Sequence, residues 1–340
     1  MGRRDKSYSR DLHQQIYDKL TGMQHFGESK HKAMNAGSIQ DKIFSKNTYL
    51  TYLKHCGYFA DFIRAEHPEC TTLRAAQKYI PEWLDSRVAK GLSPYTVQTE
   101  AKALGKLYGI APGDPNYYEP PVRNRENITR SRLSVERDSH FSVSNNQELI
   151  NFAENTGLRR SELARIKSDC LLSKAQIDER MEKLERISDE RPLAPDEARE
   201  LKALKDATAF SDKQFFIEVT GKGGRLRVSP IIGEEQAIVD RIRATPDGQH
   251  VWQHVHSDAD IHAYRGTYAT RIYREYAREI EKIPYDKVNK GTGKRYQSEV
   301  YTCRKDEAER KLDRAAMRLV SVALGHNRVE IMASHYLRGL

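Results

Sequence analysis

Phe215-Phe216-Ile217-Glu218-Val219-Thr220 and the run from Arg225 through Leu226, Arg227, Val228, Ser229 and Pro230 to Ile231-Ile232 flank Gly221-Lys222-Gly223-Gly224. Two stretches rich in branched and aromatic residues around a glycine turn are the signature of a β-hairpin. On either side the apolar residues recur at three- and four-residue steps, the spacing of amphipathic helices. The chain therefore reads as mainly helical, with one hairpin set into its second half.

Outward from the hairpin, residues 146–156 and 161–166 read as helices before it, and 260–281 and 307–324 as helices after it, with a Gly/Lys/Tyr-rich loop over 283–301. Residues 173–207, rich in Glu, Lys, Arg and Leu and broken by Pro192 and Pro195, read as a protruding helical hairpin inserted into this region. In the first half, Tyr49, Leu50, Tyr52, Leu53, Cys56, Phe59, Phe62 and Ile63 mark a helix over 47–65 that His67-Pro68 stops. A second helix covers 73–90, and a third starts at Ser93-Pro94, where Ser caps and Pro takes the first helical position. Between them and the second half lie Pro112, Pro115, Pro120 and Pro121, then Arg123, Arg125, Arg130 and Arg132. The expected organisation is a helical domain over 1–112, a basic proline-containing linker over 113–140, and a second domain over 141–340.

At 340 residues the chain is long for one core and suits two domains. Fifty-seven Lys and Arg against 48 Asp and Glu give a formal charge of +9, which favours a polyanionic partner such as nucleic acid. Cys56, Cys70, Cys170 and Cys303 are widely spaced, so neither a disulfide framework nor a thiolate zinc site is expected, and a reducing cytoplasm fits. No leader and no bilayer-length apolar run is apparent, so no membrane association is expected.

Five polar clusters follow one another in the second half: Thr156-Gly157-Leu158-Arg159-Arg160-Ser161-Glu162-Leu163, Lys222 at the hairpin tip, His262-Ala263-Tyr264-Arg265, Leu324-Gly325-His326-Asn327, and Met332-Ala333-Ser334-His335-Tyr336. His262 and Arg265 are three apart and so share a helix face, where both can address one phosphate. In this order the clusters resemble the catalytic boxes of tyrosine recombinases and phage integrases. The resemblance covers about residues 145–336, and the N-terminal helices look like the family's core-binding domain.

That resemblance implies a mainly α fold with a small β-sheet, arranged as a two-domain, C-shaped clamp on DNA. It implies site-specific strand cleavage and rejoining through a 3′-phosphotyrosyl bond, with Tyr336 as nucleophile, integrating or excising a phage or mobile element. Arg159 and Arg265 would bind the scissile phosphate, Lys222 would protonate the leaving oxygen, His262 would assist proton transfer, His326 would hydrogen-bond the phosphate and Glu162 would orient the arginines. The chemistry needs such groups. Only about one tyrosine in a thousand is phenolate at pH 7, and a guanidinium fork matches the non-bridging oxygens in a way an ammonium does not. No cofactor, metal or ATP is expected, since the cations neutralise charge that metals neutralise elsewhere. The implied partners are double-stranded DNA attachment sites, other protomers in a synaptic tetramer, and accessory DNA-bending proteins.

Two features depart from the family pattern. Tyr336 follows His326 by ten positions (336 − 326), one more than the resemblance leads one to expect, and only Leu337, Arg338, Gly339 and Leu340 follow it. The stretch 173–207 or the loop 283–301 is then expected to supply contacts between protomers. Tyr285, Tyr296 and Tyr301 come too early to be the nucleophile, and His335 is incidental. A type IB topoisomerase would use nearly the same chemistry without synapsing two sites, and a DNA-binding relative without catalysis is the third reading. His250, His254, His256 and His262 fit no single helix face as a metal site.

Overall fold

The computed structural model describes residues 11–123, 140–221, 224–283, 298–304, 307–326, 328–338 and 340. The chain divides into two compact units, Met1–Thr129 and Arg130–Leu340.

In the first unit the described residues form α1 (Leu12–Gly22), α2 (Lys30–Asn35), α3 (Lys46–Glu66), α4 (Leu73–Ala76), α5 (Ile80–Ala89) and α6 (Pro94–Tyr108). Most begin on a side-chain cap: Asp11 accepts from the Gln14 N–H at 2.8 Å, Ser45 from Thr48 at 3.2 Å and Ser93 from Thr96 at 3.3 Å. Cys56, Phe59, Ala60 and Ile63 of α3 pack with Ile16 and Leu20 of α1, Trp83 and Leu84 of α5, and Val97 and Leu104 of α6. Buried Glu100 of α6 is held by Arg87 at 2.9 Å and His55 at 3.3 Å. The single helix expected over 73–90 is instead α4, a 3-10 turn and α5. Pro81 enforces the break, because a residue without an N–H is tolerated only in a helix's first turn. Residues 11–45, part of the helical domain expected over 1–112, supply α1 and hence part of this core.

The second unit runs α7 (Gln147–Thr156), α8 (Arg160–Leu163), β1 (Leu171–Ser173), α9 (Lys174–Glu190), α10 (Pro195–Ala207), β2 (Phe215–Thr220), β3 (Leu226–Pro230), α11 (Glu235–Arg243), α12 (Ile261–Tyr276), β4 (Val300–Thr302), β5 (Lys311–Asp313) and α13 (Arg314–Ala323), then a π-helical turn over Met332–Tyr336. The expected hairpin is β2–β3, with Phe216 opposite Pro230 and Val219 opposite Arg227. It is one strand wider than expected, because β1 pairs with β2, Leu172 opposite Phe216. The sheet is buried on both faces. Phe216 and Val228 join one core with Tyr268 and Ile272 of α12 and Met317 and Val320 of α13, whereas Ile217 and Val219 join another with Phe152, Leu163 and Trp252.

Three expectations need correction. The helical pair α9–α10 does not simply protrude: Ile177, Leu184, Ala203, Leu204, Ala207 and the following Phe210 belong to the Tyr268 core. Arg180 of α9 further ties Glu200 of α10 at 2.6 Å to Glu218 of β2 at 2.9 Å. The helix over 260–281 ends at Tyr276. The helix expected over 307–324 starts only at Arg314, because 311–313 pair with 300–302 and buried Asp313 caps α13, accepting from the Ala315 N–H at 2.8 Å and Arg278 Nη2 at 2.7 Å. Among the described residues no helix is long and apolar enough to cross a membrane.

Candidate active site

The turn between α7 and α8 places Arg159. Gly157 closes α7 at φ +61°, and a Cβ there would lie 2.3 Å from the Tyr268 ring, so only glycine lets α12 approach this closely. Arg159 then occupies the position before α8, where the buried Glu162 accepts from its backbone N–H at 2.7 Å and from Nη1 at 2.6 Å. Burial would raise the Glu162 pKa, but Arg227, the Arg159 N–H and the Arg159 and Arg265 guanidiniums outweigh it, so the carboxyl sits below its ordinary range and is ionised.

One helical turn carries His262 and Arg265 on α12. Arg265 is buried; Nη1 donates to the Gly157 carbonyl, Nη2 to Leu324 O at 2.5 Å and Nε to the Tyr336 hydroxyl at 3.3 Å. Burial and the neighbouring Arg227 push its pKa down to about 10, which still leaves it charged at neutral pH. Leu324 O also accepts from Arg159 Nη2 at 3.3 Å. Two guanidiniums thus converge on one carbonyl just past α13, the negative end of that helix's dipole. His262 is exposed, with its ring centroid 5.5 Å from that of Tyr336.

The turn after α13 presents His326, whose Nε2 lies 3.3 Å from the Tyr336 hydroxyl. Burial first, then Arg265, Arg159, Arg227 and Arg225, lowers its pKa to about 4, so the ring is neutral at pH 7. Tyr336 itself ends the π turn. Leu337 donates its N–H to Met332 O, five residues back, at 2.9 Å, and Arg310 holds the Leu337 carbonyl at 2.6 Å. A π turn closes a ring one residue larger than an α turn and so takes up one extra residue. The turn over Met332–Tyr336 thus holds one residue more than an α turn would.

Arg159, His262 and Arg265 line a hollow of about 260 Å³ together with Arg160, Asp260 and Ile261. Asp260 caps α12 through the Ala263 N–H at 3.0 Å, and Arg160 donates to His256 O at 2.5 Å, which fixes the loop leading into α12. A larger hollow of about 430 Å³ lies in the first unit against α3 and α6 and contains none of these residues, so size alone does not mark the site.

Arg159, Glu162, His262, Arg265, His326 and Tyr336, six of the sequence candidates, are therefore brought together. The seventh, Lys222, lies outside the described residues. Gly221 beside it abuts the site: a Cβ at Gly221 would lie 2.9 Å from Glu162 Oε1 and 3.3 Å from Arg159 Nη1. Missing from the candidates was Arg227, a third guanidinium, buried behind Glu162 with Nη2 at 2.7 Å from its carboxylate. Its sequence signal is a charge in a strand that also carries Leu226, Val228 and Pro230. Among the described residues no cluster of three or more His, Cys, Asp or Glu side chains is placed to hold a metal ion. Searches of protein-family models and of curated proteins find no match to the chain.

Proposed function

We propose that the chain breaks and rejoins double-stranded DNA through Tyr336, as a site-specific recombinase of the tyrosine type that acts in a synaptic tetramer. The observation that carries this reading is the position of one hydroxyl. Tyr336 Oη lies 3.3 Å from both Arg265 Nε and His326 Nε2, beside a hollow lined by Arg159, His262 and Arg265.

A phosphodiester in that hollow would meet two guanidiniums, whose N–H groups not already given to Glu162, Gly157 O, Leu324 O and Tyr336 would donate to its non-bridging oxygens. Donors already fixed by Glu162, Gly157 O and Leu324 O need no reorganisation when charge builds up on phosphorus, and each such donor is worth about 3 to 4 kcal/mol of barrier. Attack by Tyr336 Oη forms the phosphotyrosyl bond and expels a 5′-oxygen, to which Lys222 would give a proton in the role the resemblance implies. An imidazole with a pKa of about 4 is a poor base for a phenol, so His326 acts here as a hydrogen-bond partner of phosphate and hydroxyl. His262, exposed at the mouth with its ring centroid 5.5 Å from that of Tyr336, would take the phenol proton in the role the resemblance implies. Reversal of the same steps by a different 5′-hydroxyl rejoins the strand without ATP, because the bond energy is retained in the adduct.

The test offers the full chain nicked duplexes tiled across the DNA surrounding its own gene, quenches in detergent and maps any attached peptide. A 3′-phosphotyrosyl adduct on Tyr336, absent from Tyr336→Phe, is expected. An adduct on another tyrosine, or one that survives the substitution, would overturn the reading.

A further inference from the structure

The contacts of Arg227 reach both the carboxylate that holds Arg159 and the end of α13, after which His326 is presented. Its Nη2 donates to Glu162 Oε2 at 2.7 Å, the oxygen that also takes the Arg159 N–H, while Oε1 of the same carboxylate holds Arg159 Nη1. Its Nη1 donates to Ala323 O at 2.8 Å and to Ser229 Oγ at 3.2 Å, and Ser229 Oγ donates to the same carbonyl at 2.7 Å. Ala323 is the last residue of α13. The next carbonyl, Leu324 O, takes Arg159 and Arg265, and the residue after that, Gly325, turns the chain at φ +66° into His326. The Arg227 side chain runs directly beneath this turn, since a Cβ on Gly325 would lie 2.8 Å from its Cδ.

We infer that Arg227 is a positioning residue for phosphodiester binding: one planar fork in β3 fixes the carboxylate that orients Arg159 to the helix end that presents His326. The inference rests on the proposed reading of the arginine hollow as a phosphate site. Stability alone does not explain the residue. A buried ion pair can often be replaced by apolar side chains of similar volume at no loss, so its presence is weak evidence of a stabilising role. Burial pushes the Arg227 pKa down; Glu162 pulls it back up and Arg159 opposes it further. A cation kept against burial and a neighbouring like charge must be wanted for its geometry. Lysine could not supply that geometry, because a single ammonium does not hold two acceptors on different elements at a fixed angle.

The experiment uses the full chain, inorganic phosphate as probe, and the NMR signals of the His326 imidazole as readout, with Arg227→Gln and Arg227→Lys beside the wild type. Both variants are expected to shift the His326 signals before any phosphate is added. Both should bind phosphate about ten- to a hundredfold more weakly, the range typical when an outer hydrogen-bond partner of a site ligand is removed. Wild-type phosphate affinity together with wild-type His326 signals would overturn the inference, even if the melting temperature fell. Should Arg227→Gln fail to fold, Ser229→Ala removes the hydroxyl that shares Ala323 O with the fork. A smaller shift of His326 in the same direction supports the inference, and none refutes it. Absence of phosphate binding by the wild type would count against the site reading, whereas the signals of the phosphate-free proteins would still decide the role of Arg227.

Discussion

The Tyr336 hydroxyl lies 3.3 Å from His326 Nε2, with the two ring centroids 5.5 Å apart. The imidazole is half-buried and faces Arg265 from α12, Arg159 from the start of α8, Arg227 from β3 and Arg225 just before it, which together with burial hold its pKa at about 4 instead of 6.5. In the unfolded chain the ring takes up its proton near the ordinary value, so on acidification the unfolded state is protonated first. The contribution of His326 to stability is complete above pH 6.5 and is lost as the pH falls from there towards about 4. His326→Gln cannot charge in either state and should lose less stability over that window. Urea midpoints of the two proteins at neutral pH and at about pH 5 make the comparison; equal losses would contradict the desolvated, arginine-faced setting.

Arg265 offers a sharper separation of charge from shape. Lysine in its place keeps the cation but can satisfy at most part of the set formed by Gly157 O, Leu324 O and the Tyr336 hydroxyl. Leaving a buried carbonyl unpaired costs about 1 to 3 kcal/mol, and that is the expected fall in unfolding free energy for Arg265→Lys. If the chain cleaves DNA as proposed, the rate of adduct formation in a single turnover should drop at least about a hundredfold, the loss of one oriented donor. A variant that cleaves at the wild-type rate would mean that the fork is not used.

Which parts of this were legible in the sequence follows from the range over which each is determined. His262 and Arg265 are three residues apart on α12, so local helical geometry alone places them and their spacing could be read, whereas Glu162 was named only through the resemblance. Arg227 could not be read. In β3 Arg227, Val228, Ser229 and Pro230 are all buried, so the alternation that normally assigns a strand's faces is absent, and nothing local says that a carboxylate waits opposite. Strands β4 and β5 are three residues each, and Lys311-Leu312-Asp313 carries no β signature against the helix that follows. The π turn had no signature of its own in Met332-Ala333-Ser334-His335-Tyr336. The helices of 173–207 were read correctly as helices, but an amphipathic stripe does not name what covers it, and here it is the Tyr268 core.

Leu204 tests that last point. It lies in α10, fully buried among Phe210, Tyr268 and the residues of α13. Leu204→Ala should destabilise the chain by about 2 to 5 kcal/mol in chemical denaturation, the range for removing a packed leucine side chain. Exposed Lys202, two residues earlier, should cost no more than about 0.5 kcal/mol when changed to Ala. Were α9–α10 only a protruding arm, the two substitutions would be alike.

The π turn yields a prediction about length. Leu337 is fully buried and its carbonyl is clamped by Arg310, while Met332 is fully buried at the other end, so both ends of the turn are anchored. Between them Ser334 bonds Ile331 O at 3.4 Å and the His335 ring at 2.8 Å, contacts the core does not depend on. Deleting Ser334 should let the segment close as an ordinary α turn between the same anchors, with the tyrosine hydroxyl still beside Arg265 and His326. Adduct formation should then fall by less than the roughly hundredfold that a misplacement of about 1 Å brings. Inserting one alanine after Ser334 has no such outlet, because the turn is already one residue larger than an α turn, and should exceed that loss. Detergent-stable adduct yields and melting temperatures of the two proteins decide it. If the deletion abolishes cleavage while the insertion is tolerated, the length of the π turn does not set the position of the tyrosine hydroxyl.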